Sequence, residues 1–297
     1  MTLPTVPTQA LAPPNRNAPI VPTKSEMSPE QAIETVLRTF PFPGYATELR
    51  ECYRNIAVTV LRHLERGSSV LDFGCGPCDK TAIVQLLGFK CTGYDDLSDY
   101  WHAIQDNRDK ILQFARETNI DFRLAGEGGL PFAANTFDML MLHDVIEHLH
   151  DSPRNLLNDL LELVKPRGLL VATVPNAANI RKRLDLLRGR TNYVKFEIFY
   201  WHPDPWRGHV REYVKDDLKQ LAEYLGLDII ELKGCDHMLY RLPTKLRRLY
   251  LNATMLAPGW KDTLMLVARK RDGWKPRKML SPEELKAILQ TNTTYQY

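Results

Sequence analysis

Two kinds of chemistry compete for one short stretch of this chain of 297 residues. Asp72, Gly74 and Gly76 have the Asp-x-Gly-x-Gly spacing of a cofactor-binding turn, whereas Cys75 and Cys78 have the Cys-x-x-Cys spacing of a redox site. An apolar run ends at the first glycine and a helix-compatible segment follows, which predicts a tight turn between a strand and a helix. A ligand bound at such a turn contacts backbone groups.

The redox interpretation lacks the surroundings of a thioredoxin-like site. No tryptophan precedes Cys75, and the Val174-Pro175 pair lies far downstream. Two cysteines are too few to ligate a structural zinc ion. The five cysteines of the chain are odd in number and sparse, which indicates a reducing compartment and argues against a disulfide framework. We therefore favour the cofactor-binding interpretation.

The residues after the turn narrow the choice of cofactor. A dinucleotide fingerprint needs a third glycine where this chain has Asp79, and that carboxylate would repel a pyrophosphate at the helix N-terminus. S-adenosylmethionine carries no phosphate, and its ribose diol needs an acidic residue at the end of the second strand. Asp95 stands about twenty residues beyond Gly76, where that residue is expected.

From Ser68 onward, short apolar strands alternate with helical segments, which predicts an α/β doubly wound, mostly parallel sheet. The predicted strands lie near residues 69–73, 90–94, 120–124, 137–142, 168–173, 227–232 and 263–268. The predicted helices of this region lie near residues 79–87, 99–117, 152–164, 178–188 and 216–225.

The remaining segments predict additions to that sheet. Residues 1–24 read as a flexible proline-rich arm, and residues 25–67 as an N-terminal helical cap with helices near 28–40 and 48–66. The central domain spans residues 68–271, with substrate-covering insertions at about 177–213 and 236–261, the second without assigned structure. Residues 272–297 form a C-terminal tail with a helix.

Several motifs in this order resemble a class I S-adenosylmethionine-dependent methyltransferase, in particular the small-molecule branch that includes the ubiquinone-biosynthesis O-methyltransferases. The resemblance covers about residues 45–270 and implies the seven-stranded, Rossmann-like methyltransferase fold. Its motifs are Val70–Gly76, Gly93–Asp95, Leu130–Phe132 with Phe137–Leu140, Asp144–Leu149 and Leu163–Gly168.

The resemblance also implies roles for individual residues. Asp72, Gly74, Cys75 and Gly76 would face the methionine part of S-adenosylmethionine. Asp95 with its neighbour Asp96 would meet the ribose, and His143 and Asp144 would line the cofactor. Position 126, where the family often has an acidic residue near the adenine, is glycine, so Glu127 or a backbone group is expected there.

Two histidines are candidate bases for removing a proton from an acceptor hydroxyl, since an imidazole titrates near neutral pH. His148 lies four residues after Asp144, on what the spacing predicts is the same helical face. His209 ends an aromatic-rich loop. As alternatives, His148 would only brace the next helix and His209 would be an exposed loop residue. Resemblance to metal-using members, including small-RNA 2′-O-methyltransferases, also allows Glu147, His148 and His209 to hold a divalent cation, with Asp144 as a fourth ligand, although we favour an imidazole base.

An aromatic cluster precedes His209 and allows two interpretations. The rings would form a stacking wall for a sugar or planar group, or would fill the small core of the insertion. We expect most of them to fill that core and one or two to reach substrate. The cluster contains Tyr193, Phe196, Phe199, Tyr200, Trp201 and Trp206.

Composition narrows the class of partner. A formal net charge of +3 is too small to indicate nucleic acid, and the basic C-terminal quarter is expected to be a solvated face rather than an RNA or anionic-lipid patch. The sequence contains no run long enough to span a bilayer and no signal-peptide pattern, which favours a cytoplasmic location. It does not specify the oligomeric state.

The combined prediction is methyl transfer from S-adenosylmethionine to an oxygen, less favourably a nitrogen, of a small metabolite or glycan. An RNA 2′-O-methyltransferase, with or without a metal, is the alternative within the same fold. A non-enzymatic member that only binds cofactor or a partner is the alternative from another class.

Overall fold

The computed structural model describes residues 27–126, 128–191, 193–203 and 205–291. Within these ranges the apolar runs form one seven-stranded sheet, and each central strand is buried on both faces, as expected for a sheet covered by helices. The strands are β1 (Ser69–Phe73), β2 (Lys90–Asp95), β3 (Asp121–Leu124), β4 (Phe137–His143), β5 (Val164–Pro175), β6 (Leu227–Cys235) and β7 (Thr263–Lys270).

The order of the strands across the sheet is β3-β2-β1-β4-β5-β7-β6. Strands β1 to β5 pair in parallel, whereas β7 runs antiparallel to both β5 and β6. This arrangement confirms the predicted α/β doubly wound, mostly parallel sheet. The chain leaves β1 towards β2 and returns on the other side as β4, so a crevice opens at the carboxyl ends of these two strands, where ligands bind in such folds.

The helices cover both faces of the sheet and extend beyond it. They are α1 (Pro29–Thr39), α2 (Pro43–Ala46), α3 (Arg50–His63), α4 (Asp79–Leu86), α5 (Asn107–Glu117), α6 (Arg154–Leu163), α7 (Ile180–Leu187), α8 (Phe196–Trp201), α9 (Lys215–Tyr224), α10 (Thr244–Leu256) and α11 (Pro282–Thr291). A capping box begins α1, since Ser28 and Gln31 exchange side-chain to backbone hydrogen bonds.

Three predicted elements differ from the structure. Helix α5 begins at Asn107 rather than near residue 99, because Leu97 and Gln105 have positive φ angles, which a helix does not accept. Strand β5 begins at Val164 and includes a break in its pairing with β4, where Arg167 has a φ of 61°. The segment left unassigned around residues 236–261 contains α10.

The core lies on the two faces of the sheet. On one face, Ile33 of α1 and Ile56 of α3 pack in the same buried cluster as Ile83 of α4. On the other face, Leu160 of α6 and Leu218 of α9 pack against the sheet. The N-terminal helices are therefore part of the main core, and they place Tyr45 and Cys52 beside the carboxyl edge of the sheet. No helix in the part of the chain that the structure describes is long and apolar enough to cross a membrane.

Candidate active site at the carboxyl edge of the sheet

The glycine turn between β1 and α4 depends on glycine for two physical reasons. Gly74 and Gly76 have φ angles of 70° and 51°, which favour a residue without Cβ. A Cβ at Gly74 would also lie 2.7 Å from Cγ2 of Val145, in the segment after β4. The turn therefore requires glycine at both positions, and its predicted contact with a cofactor stays a prediction.

The side chains of Cys75 and Cys78 face the protein interior. Both thiols are buried, and their Sγ atoms lie 3.7 Å apart beneath the turn. A Cβ at Gly93 of β2 would approach Sγ of Cys75 to 3.0 Å, so this strand makes room for the sulfur. Burial raises the pKa of Cys75 well above its usual value, which disfavours the reactive thiolate. The seven-stranded fold also rules out the thioredoxin interpretation.

Asp95 joins the end of β2 to the glycine turn. Its carboxylate accepts hydrogen bonds from the backbone N–H groups of Gly76 at 2.8 Å and Leu97 at 2.7 Å, one on each oxygen. Each oxygen keeps a further lone pair, so the group retains the capacity to accept a ribose diol. Its neighbour Asp96 is exposed and accepts a hydrogen bond from the N–H of Ser98 at 2.9 Å. The two carboxylates therefore have different surroundings.

Asp72 is buried inside the fold. Its Oδ2 accepts a hydrogen bond of 2.6 Å from the hydroxyl of Thr81, which connects β1 to α4. Burial raises the pKa of Asp72 to about 7 and outweighs the opposing effect of the Thr81 hydrogen bond. The structure thus gives Asp72 a bracing contact, and its predicted cofactor contact stays a prediction.

Two residues concern the adenosine end of the predicted cofactor site. Glu127, the predicted adenine neighbour, lies outside the described residues. His102 was missed by the sequence analysis: its ring stands 3.8 Å from the position of a Cβ on Gly76, and it is buried. Neither ring nitrogen has a hydrogen-bond partner within the described ranges. No local motif marks this residue, because the loop after β2 brings it to the turn.

An ion pair lies at the end of β4, and the sequence analysis predicted only its acidic member, Asp144, as a site residue. Asp144 has a φ of 58° and forms an ion pair of 3.3 Å with Lys80 of α4. Burial alone would raise the pKa of Asp144, but Lys80 holds it below the usual range. Nδ1 of His143 lies 3.1 Å from the hydroxyl oxygen of Thr173, a hydrogen-bond distance. Burial lowers the pKa of His143 to about 3, so its ring is neutral.

The predicted relation between Asp144 and His148 is wrong. The left-handed backbone of Asp144 precludes a helix through both residues, and His148 ends a single 3₁₀ turn, Ile146–His148. Asp144 faces Lys80 of α4 rather than joining the group of possible metal ligands.

Backbone hydrogen bonds bring His209 to this turn from a distant part of the chain. The carbonyl oxygen of Glu147 accepts from the N–H groups of Val210 at 2.7 Å and Arg211 at 3.2 Å. The hydroxyl of Tyr213 donates to the carbonyl oxygen of Ile146 at 3.3 Å. The end of the first insertion is thus attached to the segment after β4.

The attachment assembles the group that the sequence proposed as a metal site or base. Ligand atoms of Glu147, His148 and His209 all lie within 4.8 Å of one another. Nδ1 of His148 lies 2.7 Å from the carbonyl oxygen of Arg207, which requires a proton on Nδ1 and leaves the Nε2 lone pair to act. Nδ1 of His209 lies 3.0 Å from Glu212, and a carboxylate in this position orients an imidazole.

Glu147 is the unusual member of this cluster. Its side chain is fully buried, and neither carboxylate oxygen has a hydrogen-bond partner in the described part of the chain. Burial raises its pKa well above the usual value, and the charge of Asp144 raises it further. A buried carboxylate without partners costs free energy unless a cation or donor joins it.

A cavity of about 230 Å³ opens beside the cluster. Its lining includes Glu147, His209, Lys80 and Asp144, together with His237 of the second insertion. His237 was missed by the sequence analysis because its segment has no recognisable motif. Its Nε2 has no partner among the described residues, and burial lowers its pKa to about 4, so the ring is neutral at pH 7. The backbone N–H of His237 donates to Asp262 at 2.8 Å, which holds the residue in place.

The aromatic cluster does not fill a core, contrary to our expectation. Helix α8 contains no buried side chain, and Phe196 and Trp201 are 73% and 75% exposed. Within the cluster, Trp206 is partly enclosed, since its ring packs over the backbone of Gly208.

Sequence comparisons relate this chain to methyltransferases. A family model described as a methyltransferase domain matches residues 45–232, more than half of the chain. A ubiquinone biosynthesis O-methyltransferase of Cereibacter sphaeroides is 25% identical over 170 residues, which cover 57% of this chain and 63% of the relative. An uncharacterized methyltransferase of Schizosaccharomyces pombe is 29% identical over 118 residues, 37% of this chain and 40% of the relative. The chain thus spans less than two thirds of the length of these relatives.

The fold is also found in solved structures. A SAM-dependent methyltransferase of Methanosarcina mazei superposes with a TM-score of 0.50 at 17% identity, over 72% of this chain and 97% of that chain. This degree of similarity shows the fold alone. With the family match over residues 45–232, it establishes that the chain belongs to the S-adenosylmethionine-dependent methyltransferase family.

Proposed function

We propose that this protein transfers the methyl group of S-adenosylmethionine to a hydroxyl oxygen, and that Glu147, His148 and His209 activate that hydroxyl. The observation that carries the proposal is the convergence of these three side chains, with ligand atoms within 4.8 Å, where Glu147 and His209 line a cavity at the carboxyl edge of the sheet. A nitrogen acceptor needs no such group of anionic and imidazole ligands, because an unprotonated amine is already nucleophilic.

The three side chains fit a divalent cation. One carboxylate and two imidazoles are a ligand set that first-row divalent metals accept. The unpartnered, buried carboxylate of Glu147 supplies an independent reason, since a cation would offset the cost of keeping it charged. A bound cation would supply Lewis-acid activation, because positive charge at the acceptor hydroxyl favours loss of its proton.

The chain's own groups position the acceptor. The Lys80–Asp144 pair and the neutral ring of His237 present polar atoms to a cavity that is otherwise partly apolar. Nε2 of His237 can accept a hydrogen bond from the acceptor hydroxyl. In the transfer, the acceptor hydroxyl gives its proton to the imidazole of His148 or His209, or to solvent where a cation holds both rings, and the oxygen forms a bond to the methyl carbon while the carbon–sulfur bond breaks and its electron pair stays on sulfur. Holding the three atoms in line accounts for most of the acceleration.

A small metabolite or glycan is the acceptor class that we favour. The cavity volume of about 230 Å³ suits a sugar ring or a planar group of similar size. The net charge of +3 offers little attraction for a polynucleotide. The likeness to ubiquinone biosynthesis O-methyltransferases supports an oxygen acceptor. The ligand cluster also suits an RNA 2′-hydroxyl, which is the second candidate.

Binding and transfer experiments test the proposal. Calorimetry should detect binding of S-adenosylhomocysteine, and Asp95→Ala should weaken it. A methyl-labelled cofactor incubated with cell extract should label a low-molecular-weight or glycan fraction, and a strong chelator should stop the labelling until a divalent cation is added back.

Each alternative has its own outcome in these experiments. Absence of cofactor binding would contradict the central proposal, whereas cofactor binding without any labelled product would indicate a non-enzymatic member. Label in an RNA fraction with strongly salt-dependent binding would favour the 2′-hydroxyl acceptor. Full activity in chelator would exclude the cation and leave His148 or His209 as base.

A further inference from the structure

Two excursions of the chain leave the carboxyl edge of the sheet and carry an unusual amount of exposed apolar surface. The first excursion spans residues 177–213 and contains α7 and α8. The second spans residues 236–261 and contains α10. Neither α7 nor α8 has a single buried side chain, although large apolar residues make up half or more of each helix.

The exposed side chains of the first excursion are both aliphatic and aromatic. Leu187 is 83% exposed, Tyr193 74% and Trp201 75%. Single exposed apolar residues are ordinary, but a contiguous group of them marks a surface that binds something. The large apolar side chains exposed in this excursion are Leu184, Leu186, Leu187, Tyr193, Val194, Phe196, Ile198, Phe199, Tyr200, Trp201 and Val210.

Basic residues are interspersed with these side chains. Between residues 180 and 201 the sequence has six basic residues and two acidic ones. Lys182 is engaged in an ion pair with Glu212, whereas Arg183, Arg188 and Arg190 belong to exposed positions. The basic residues are Arg181, Lys182, Arg183, Arg188, Arg190 and Lys195, and the acidic residues are Asp185 and Glu197.

Helix α10 has the same composition. Only Tyr250 and Thr254 are buried, while Leu249 and Leu256, two turns apart, are 67% and 88% exposed. The helix sequence contains three basic residues and no acidic one. A short helix with leucines on the outer side and basic residues beside them is typical of segments that lie in a membrane interface.

The roots of the two excursions are hydrogen-bonded to each other at the sheet edge. The side chain of Asn176 donates to the carbonyl oxygens of Gly259 at 2.9 Å and Lys261 at 2.7 Å. Both excursions also contribute to the wall of the cavity, through His209 from the first and Met238 from the second. The exposed apolar and basic surface therefore belongs to the side of the molecule on which the cavity opens.

Contrary to the expectation of a solvated basic face in the C-terminal quarter, we propose that α7, α8 and α10 form a docking face for the surface of an anionic lipid bilayer. The leucine and aromatic side chains would enter the interfacial region, and the basic side chains would lie against the lipid phosphates. That the acceptor is taken from this bilayer, as a lipid-linked or lipid-embedded hydroxyl compound, rests on the proposed function. The docking itself does not.

The chemistry of the face favours lipid over other partners. A second copy of the chain docked through the same face would place basic residues against basic residues, which is unfavourable in a two-fold interface. Single-stranded RNA would stack its bases on the aromatic rings and place its phosphates against the arginines. It would leave the aliphatic side chains of α7 and α10 without an apolar partner. A lipid bilayer offers hydrocarbon to the apolar side chains and phosphate to the basic ones, so it suits every side chain of the face.

Co-sedimentation with vesicles tests the docking face. The full chain should bind vesicles of phosphatidylcholine and phosphatidylglycerol more than about tenfold better than vesicles of phosphatidylcholine alone, and added salt should reduce the difference. The paired substitutions Phe196→Ser with Trp201→Ser, Leu249→Ser with Leu256→Ser, and Arg188→Glu with Arg190→Glu should each reduce binding. Met279→Ser and Arg123→Glu, at exposed positions outside the face, serve as matched controls and should bind as the wild type does.

The outcomes separate docking from catalysis. All variants should keep the wild-type affinity for S-adenosylhomocysteine, because none of the substituted residues contacts the glycine turn or Asp95. Equal sedimentation with and without phosphatidylglycerol, or no loss of binding in the three paired variants, would overturn the proposal. So would sedimentation equilibrium showing a dimer that the same substitutions dissociate, or binding of oligouridylate in place of vesicles. Loss of cofactor binding in the wild type would contradict the proposed function and leave docking to be judged by the vesicles.

Discussion

Glu147 shows how one residue can report on a ligand. The side chain is fully buried, both oxygens lack a partner within the described residues, and two imidazoles face it. Folding would expel such a carboxylate unless a cation or a proton compensated it. Burial raises the pKa of Glu147 well above its usual value, which favours the neutral carboxyl group in the absence of a cation.

The substitution Glu147→Gln tests this explanation. It removes the only anionic ligand of the three-residue cluster, so we expect the affinity for Mn²⁺ or Co²⁺ to fall more than about tenfold while the fold persists. Calorimetry with each ion would measure the change, and Glu223→Gln on the exposed side of α9 is the matched control. Unchanged cation affinity in Glu147→Gln would contradict the assignment.

Asp72 supplies a prediction for the pH dependence of stability. Its pKa is raised to about 7 by burial, so the folded protein holds a proton that the unfolded chain releases near pH 4. The stabilising contribution is complete below the unfolded pKa and is lost as pH rises through the folded pKa. An asparagine in place of this aspartate cannot ionise. The variant Asp72→Asn should therefore gain stability relative to wild type as pH rises from 4 to 8, by on the order of 2 to 4 kcal/mol.

Urea unfolding at a series of pH values would measure that difference. Asp109→Asn, at an exposed position of α5, is the control and should show little pH-dependent change relative to wild type. A constant difference between Asp72→Asn and wild type across the range would show that Asp72 is ionised in the folded protein. In that case the hydrogen bond from Thr81 would outweigh burial.

Among the elements of the fold, the strand–turn–helix unit from β1 to α4 carries the proposed cofactor site. The turn needs a positive φ at Gly74 and close packing against the segment after β4. This packing connects the cofactor side of the crevice with the 3₁₀ turn that carries Glu147 and His148. A change at Gly74 should therefore affect both parts of the site.

The substitution Gly74→Ala should destabilise the fold by about 2 to 3 kcal/mol and weaken binding of S-adenosylhomocysteine, because strain at positive φ adds to a clash with Val145. Gly189→Ala is a matched control, since Gly189 has a φ of 69° and an added Cβ there would meet nothing within 4 Å. This control should cost only about 1 kcal/mol. Urea unfolding gives both values.

A second substitution separates the two causes. Shortening the clashing side chain in the double variant Gly74→Ala with Val145→Ala should recover part of the lost stability, leaving the cost of positive φ. Equal stabilities of Gly74→Ala and Gly189→Ala would show that contact with Val145 is unimportant.

Across the whole molecule, the covered sheet makes the cysteines inaccessible. All five cysteines are free and buried, and burial raises the pKa of Cys52, Cys75, Cys91 and Cys235. Because a thiolate is the reactive form, a disulfide reagent should react with the folded protein only as fast as the protein opens. Ellman's reagent should titrate the five thiols in denaturant and almost none in the native state.

Saturation with S-adenosylhomocysteine should slow the native reaction further, since bound ligand stabilises the closed form. Rapid native modification of two thiols would show that the turn at Cys75 and Cys78 opens locally. A pair that reacts in this way would restore a redox role for the motif.

The fold class and the cofactor turn follow from local features of the amino-acid sequence. Alternation of apolar strands and helical segments is a local pattern, and so is Asp-x-Gly-x-Gly followed at a set distance by Asp95. Both are readable because burial on two faces and positive φ at glycine impose residue types directly on the chain. The resemblance to metal-using methyltransferases also pointed to Glu147, His148 and His209 as a group.

Which groups meet in the crevice depends on tertiary packing. The positive φ of Asp144 turned it towards Lys80, and hydrogen bonds between distant backbone segments brought His209 to Glu147. His102 and His237 entered the crevice from loops whose sequences carry no signal. The rings of α8 are exposed, although their density in the sequence predicted that most of them fill a small core. Long-range packing pairs residues far apart in the chain and leaves no periodic trace in the sequence.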